Sequence, residues 1–229
     1  MLIQIFRSGQ PLAVSIIEAV LLVLIMLISL TVHEYSHGRM ALALGDKTAL
    51  MAGRLSLNPI RHLDVIGTLM ILIVGFGYAK PVPVNPRNFT KVGYKGGMIL
   101  VSLAGPLSNF LLALLGMLGL HITLTVWTNS GSDAIAYTLT YLFFLYFTLL
   151  NIGLGVFNLI PLPPLDGSRI LTVFLPARAQ LWFYRYERFI QIGLFALIWL
   201  GLIDRPLLAA RTLIYNALEW LVTRLPFLL

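Results

Sequence analysis

Val32-His33-Glu34-Tyr35-Ser36-His37-Gly38 lies near the end of an apolar run over residues 11–44, and residues 19–30 of that run carry no charge. Two imidazoles and a carboxylate thus stand where hydrocarbon side chains are expected. On an α-helix His33 and His37 fall on one face a turn apart, so both rings reach a common metal ion. Glu34, one position round, sits close enough to act on a water at that metal without ligating it. The spacing is the H-E-x-x-H zinc-hydrolase pattern. On a soluble helix the same letters also arise as a plain polar turn. In a membrane helix ionisable groups need a partner or a water-filled cavity, and that favours the metal.

The rest of the composition supports a membrane setting. Of 229 residues, 59% are hydrophobic and only 11% charged, against roughly a quarter charged in soluble domains. An integral membrane protein of this length has no room for a sizeable soluble domain beside several spans, so we expect one membrane-embedded unit over residues 1–229. Cysteine is absent, which excludes disulfides and thiolate zinc sites and leaves any metal to His and carboxylate. The net charge of +7 is spread over short loops without an aromatic-interleaved basic block, so a nucleic-acid partner is not expected. The run after Arg7 is too long for a signal-peptide core and contains the motif itself, so it reads as a retained span.

In chain order, the first helix is expected over residues 11–44, stopped by Gly45-Asp46. It exceeds the roughly 20 residues a span needs, so it tilts or protrudes. Glu18 within it reads as an outer-interface residue or as part of a polar path. A polar connection follows, in which Arg54-Leu55-Ser56-Leu57 alternates like a short strand. Residues 65–78 are apolar but too short to cross, and basic loops flank them on both sides. That pattern suggests a re-entrant half-helix on the cytoplasmic side. Lys80-Pro81-Val82-Pro83-Val84 reads as an edge strand. Further spans are expected over residues 98–127 and 134–160, joined by a loop without Lys or Arg. An apolar segment over 189–203 and a last one over 207–229 close the chain, the last as a tilted span or a surface helix. The fold class is therefore all-α and membrane-embedded: a polytopic bundle with a core at about 12–172 and C-terminal helices at about 184–229.

A catalytic zinc commonly has three protein ligands and one open position, so one ligand remains to be found. Among nine acids, Asp166 and Asp64 best fit a site at the cytoplasmic end of the first helix. Asp166 follows a span broken by Pro161, Pro163 and Pro164, and broken helices at membrane depth line cavities. Asp64 reads equally as a loop acid or a helix cap, and His62 is a third candidate. Geometry favours Asp166 without excluding the other two.

Three ordered motifs extend the pattern: His33-Glu34-x-x-His37, Ala104-Gly105-Pro106-Leu107-Ser108-Asn109, and Asn158-Leu159-Ile160-Pro161-Leu162-Pro163-Pro164-Leu165-Asp166-Gly167. Together they resemble the site-2 protease family of intramembrane zinc metalloproteases, and the loop Tyr78-Ala79-Lys80-Pro81-Val82-Pro83-Val84 is similar to that of its compact prokaryotic members. The likeness covers about residues 30–172, with no sign of the PDZ or CBS modules of some members. The resemblance implies a three-span catalytic core, one Zn²⁺ per chain and Asp166 as the third ligand. The likeness to compact prokaryotic members implies a prokaryotic cell membrane, and the basic loops put the expected site toward the cytoplasm.

The expected chemistry is peptide-bond hydrolysis in or near transmembrane segments of a membrane-protein substrate, within regulated proteolysis, with Glu34 as the general base. Asn109 and Asn158 are candidate substrate-binding residues, as oxyanion donors or backbone clamps. Helix-to-helix hydrogen bonding is the competing reading for each. Rival functions are a metal-ion transporter, a catalytically inactive relative that binds membrane segments, and a peptidase acting on prenylated C-termini. The last would not need the Leu165-Asp166-Gly167 motif.

Overall fold

The computed structural model describes residues 11–64, 67, 80–130 and 135–225. Among the described residues seven helices carry the architecture: α1 (Leu12–Ala43), α2 (Thr48–Met51), α3 (Tyr94–Ser130), α4 (Ile135–Asn158), α5 (Asp166–Phe174), α6 (Ala177–Trp199) and α7 (Asp204–Val222). Two short 3-10 turns lie at Pro59–Arg61 and Pro86–Asn88. α1, α3 and α4 are long and apolar enough to cross a membrane, and the bent pair α6 and α7 makes a fourth candidate if counted as one span. At 32 residues α1 is about 48 Å long, well beyond the roughly 30 Å of bilayer hydrocarbon. It ends where expected, with Gly45 at a φ of 111° that other residues rarely adopt.

α3 is the central helix, packed against α4 and α1 and carrying α5 at its N-terminal side. The polarity of the bundle is that of a membrane protein. Leu107, Leu111 and Leu115 point outward from α3, and Ile16, Val20, Leu24 and Ile28 from α1, each stripe at helical spacing. Ser29, Asn109, Thr148 and Asn151 are fully buried between the helices. Lipid contributes no hydrophobic drive between helices, so close packing and interhelical hydrogen bonds hold such interfaces together. Phe110 of α3 lies over Gly155 of α4, and Phe144 of α4 over Gly119 of α3, so two aromatic rings interlock the pair.

The expected strands do not form among the described residues. Residues 54–57 run on from α2 as a turn and loop. Residues 80–84 pair with no strand among the described residues: Pro81 and Pro83 have no N–H, Lys80 N–H donates to the His62 carbonyl at 2.8 Å and Val82 N–H donates to Glu34 Oε2 at 2.9 Å. On the acceptor side, Arg54 Nη2 donates to the carbonyls of Lys80 (2.7 Å) and Pro81 (3.4 Å). The expected half-helix over 65–78 lies outside the described residues, apart from Gly67, whose N–H donates to Asp64 Oδ1. α6 starts at Ala177, well before the apolar segment at 189–203, and bends by 81° into α7. Its first half carries Arg178, Arg185, Glu187 and Arg188, and these charges hide the helix from a reading based on apolar length.

Candidate metal centre

α1 places His33 and His37 on its inward face, and both are buried. Each ring is fixed from behind. His33 Nδ1–H donates to Asn109 Oδ1 at 2.6 Å, and His37 Nδ1–H donates to the Val101 carbonyl at 2.7 Å. With the proton on Nδ1 in both rings, each Nε2 carries a lone pair. The two Nε2 atoms lie 3.0 Å apart. Asp166, in the first turn of α5, brings Oδ2 to 3.1 Å from His33 Nε2 and 3.2 Å from His37 Nε2. The chain break over residues 159–165 makes this approach possible, and Gly167 lets α5 fold back on it. A Cβ at Gly167 would overlap the carbonyls of Leu159 and Ile160.

Two lone pairs and a carboxylate oxygen cannot hydrogen-bond to one another. With both imidazoles neutral, three buried acceptors within about 3 Å are accommodated by a cation between them. Their spacing fits zinc, since tetrahedral ligands at about 2.0–2.1 Å stand roughly 3.3 Å apart. The donor set of two imidazoles and one carboxylate, all buried and mutually within 4.8 Å, matches a three-ligand zinc site with an open position. The backbone of α3 closes one side of the cluster at Gly105, where a Cβ would overlap His37 Nε2 and the His33 ring.

Glu34 faces the same cavity as the triad, beside Pro81, Val82 and Val84. This cavity of about 1290 Å³ runs from the metal cluster along α1 and α4 to α6 and α7, with Leu22, Met26, Leu30, Leu154 and Phe157 in its wall. Asn158 also lines it, with Nδ2 donating to the Leu154 carbonyl at 3.0 Å. Asn109 does not reach the cavity: it is fully buried behind His33, with Nδ2 donating to Asn151 Oδ1 at 2.9 Å. The competing third ligands are engaged elsewhere. Asp64 accepts from Gly67 N–H, and His62 Nε2–H donates to the Ser56 carbonyl. The sequence reading missed Asn151, Gly105 and the Val82 amide. A signal existed for Asn151, a polar residue in an apolar span seven positions before Asn158 and hence on the same helical face.

The model of Peptidase family M50 matches residues 121–201, a segment that includes Asp166. YwhC of Bacillus subtilis, a candidate zinc metalloprotease, is 46% identical over 157 residues, which are 68% of this chain and 69% of YwhC. Rip2 of Mycolicibacterium smegmatis, also a candidate zinc metalloprotease, is 32% identical over 67% of this chain and 57% of its own. The zinc metalloprotease MJ0392 of Methanocaldococcus jannaschii is 29% identical over 70% of this chain, which spans only 36% of that protein. No solved structure gives a significant match. The extent of identity with YwhC and the buried zinc-type cluster set among membrane-length helices agree, and the chain belongs to peptidase family M50, the site-2 protease family of intramembrane zinc metalloproteases.

Proposed function

We propose that His33, His37 and Asp166 hold the zinc, that Glu34 is the general base, and that the substrate is a transmembrane or membrane-adjacent segment of another protein. The observation that carries the reading is the meeting of three metal-seeking acceptors with the Glu34 carboxylate in one cavity walled by membrane-spanning helices. When bound, zinc supplies Lewis acidity to the attacking water and to the scissile carbonyl. Glu34 takes a proton from that water as its oxygen bonds to the carbonyl carbon, and returns it to the amine as the C–N bond breaks. The Val82 N–H donates to Glu34 Oε2 and so holds the carboxylate in position for that transfer. A substrate helix hides its carbonyls in its own hydrogen bonds, so the cleaved stretch must unwind into the cavity, and Asn158 in the cavity wall supports a contact with its backbone.

Residues 1–229 act as one membrane-embedded unit of a prokaryotic cell membrane. The basic residues Lys47, Arg54, Arg61, Lys80, Arg87 and Lys91 lie on the segments between α1 and α3, beside the metal end of α1, which supports a site toward the cytoplasm. The test is cleavage of a panel of single-span proteins in liposomes by wild type and Glu34→Gln. Glu34→Gln should retain zinc and lose cleavage by about 10²–10⁴-fold, the usual scale of general-base catalysis. Wild-type turnover by that variant would remove Glu34 from the mechanism.

A further inference from the structure

Behind the metal cluster a buried chain of hydrogen bonds leaves α1 at His33 and returns to it one turn earlier. His33 Nδ1 contacts Asn109 Oδ1 (2.6 Å), Asn109 Nδ2 contacts Asn151 Oδ1 (2.9 Å), and Asn151 Nδ2 contacts both Ser29 Oγ and the Phe147 carbonyl (2.9 Å each). Ser29, Asn109 and Asn151 are fully buried, so no water corrects a mismatch. The direction of this chain follows from its one invariant member. A backbone carbonyl only accepts, so Phe147 O obliges Asn151 to present its NH₂ group there. Asn151 Oδ1 then faces Asn109, which must answer with its own NH₂ and turn its oxygen to His33. His33 must therefore carry its proton on Nδ1 and its lone pair on Nε2, the atom that faces His37 and Asp166.

We propose that Asn151 is a positioning residue of the zinc centre. With the Phe147 carbonyl as reference, it sets the amide orientation of Asn109 and through it the tautomer of His33 that binds metal. The inference rests on the zinc reading of the cluster. Ser29 has a different part: it receives the second N–H of Asn151 and donates to the Ile25 carbonyl at 2.8 Å, and it does not determine which way Asn151 faces.

The test is zinc affinity of the purified full chain in detergent, by competition with a chelator, with melting temperature measured in parallel. Asn151→Leu should weaken zinc by about 10–100-fold, the range for lost support of a ligating histidine. Ser29→Ala should leave affinity within about three-fold of wild type although it also lowers the melting temperature. Asn109→Leu should weaken zinc as much as Asn151→Leu, and the double variant no further, because the two act in series. Asn151→Ala, which adds no bulk, is measured alongside so that the outcome does not hang on the folding of one variant. Wild-type affinity in both Asn151 variants, or a double variant in which the two losses add in full, would overturn the role of Asn151 alone. Unchanged zinc binding by His37→Ala would instead remove the metal centre, and this inference with it.

Discussion

Gly105→Ala should separate metal binding from folding. A Cβ at that position would lie 2.6 Å from His33 Nε2 and overlap His37 Nε2, whereas ordinary contact begins at 3.4 Å. Both imidazoles must therefore retreat, by about 0.8 Å or more. Zinc sites hold ligand distances to about ±0.2 Å, so the displaced rings no longer complete the triad. Zinc affinity should fall by about 100-fold or more, roughly 2.8 kcal/mol at 1.4 kcal/mol per decade. The apo protein should not suffer in proportion. Alanine favours a helix over glycine by up to about 1 kcal/mol, and the clash is with side chains that can swing. Chelator competition would report the metal, and thermal unfolding of zinc-free protein in detergent would report the fold. Full zinc loading at wild-type affinity would refute the reasoning, since the α3 backbone would then not be holding the two rings in place.

Gly167→Ala should do harm of a different kind. Its Cβ meets the backbone carbonyls of Leu159 and Ile160 rather than mobile side chains, so both zinc retention and apo stability should fall, the latter by about 1–3 kcal/mol in a thermal melt. Asp46→Ala should destabilise without touching the cavity, because the buried carboxylate accepts from Thr48 N–H, Thr48 Oγ–H, Asn85 N–H and Asn88 Nδ2–H and so ties residues 85–88 to the end of α1. The loss should be about 2–4 kcal/mol, given about 1–3 kcal/mol for each buried donor left unpaired and water replacing the rest. Burial pushes the Asp46 carboxyl up, but these hydrogen bonds outweigh it and hold the group below its ordinary value. Its stabilisation is thus complete above the unfolded pKa of about 3.9 and is lost as pH falls through the lower folded value. In acid melts the gap between wild type and Asp46→Ala should therefore narrow as pH falls below about 3.9 and through the lower folded value, and a constant gap down to the lowest pH would contradict this.

Much of the helical frame was legible in the sequence. The expected spans at 11–44, 98–127 and 134–160 match α1, α3 and α4 to within a few residues, because a bilayer imposes a minimum apolar length that few other structures need. The strands failed for the converse reason. Alternation at residues 54–57 and 80–84 reports which side chains are apolar, but a strand exists only through a partner edge, and here Val82 N–H is taken by Glu34, the Lys80 and Pro81 carbonyls by Arg54 and Lys80 N–H by the His62 carbonyl. Asn109 shows the same limit at the level of one residue. The sequence offered it as a contact for substrate or as helix packing, and its fully buried position behind His33 points to a role in orienting a ligand.

What the sequence determined by itself was the pairing of His33 with His37 and the place of Glu34 beside them, since spacing within one helix fixes geometry without any knowledge of the fold. The meeting of His33 with Asp166, 133 residues away, and with Asn109, 76 residues away, was decided by the packing of α3, α4 and α5 around α1. Chemistry of that range depends on which faces of separate helices turn toward each other, and through-space distances of 2.6–3.2 Å arise only once the helices are docked.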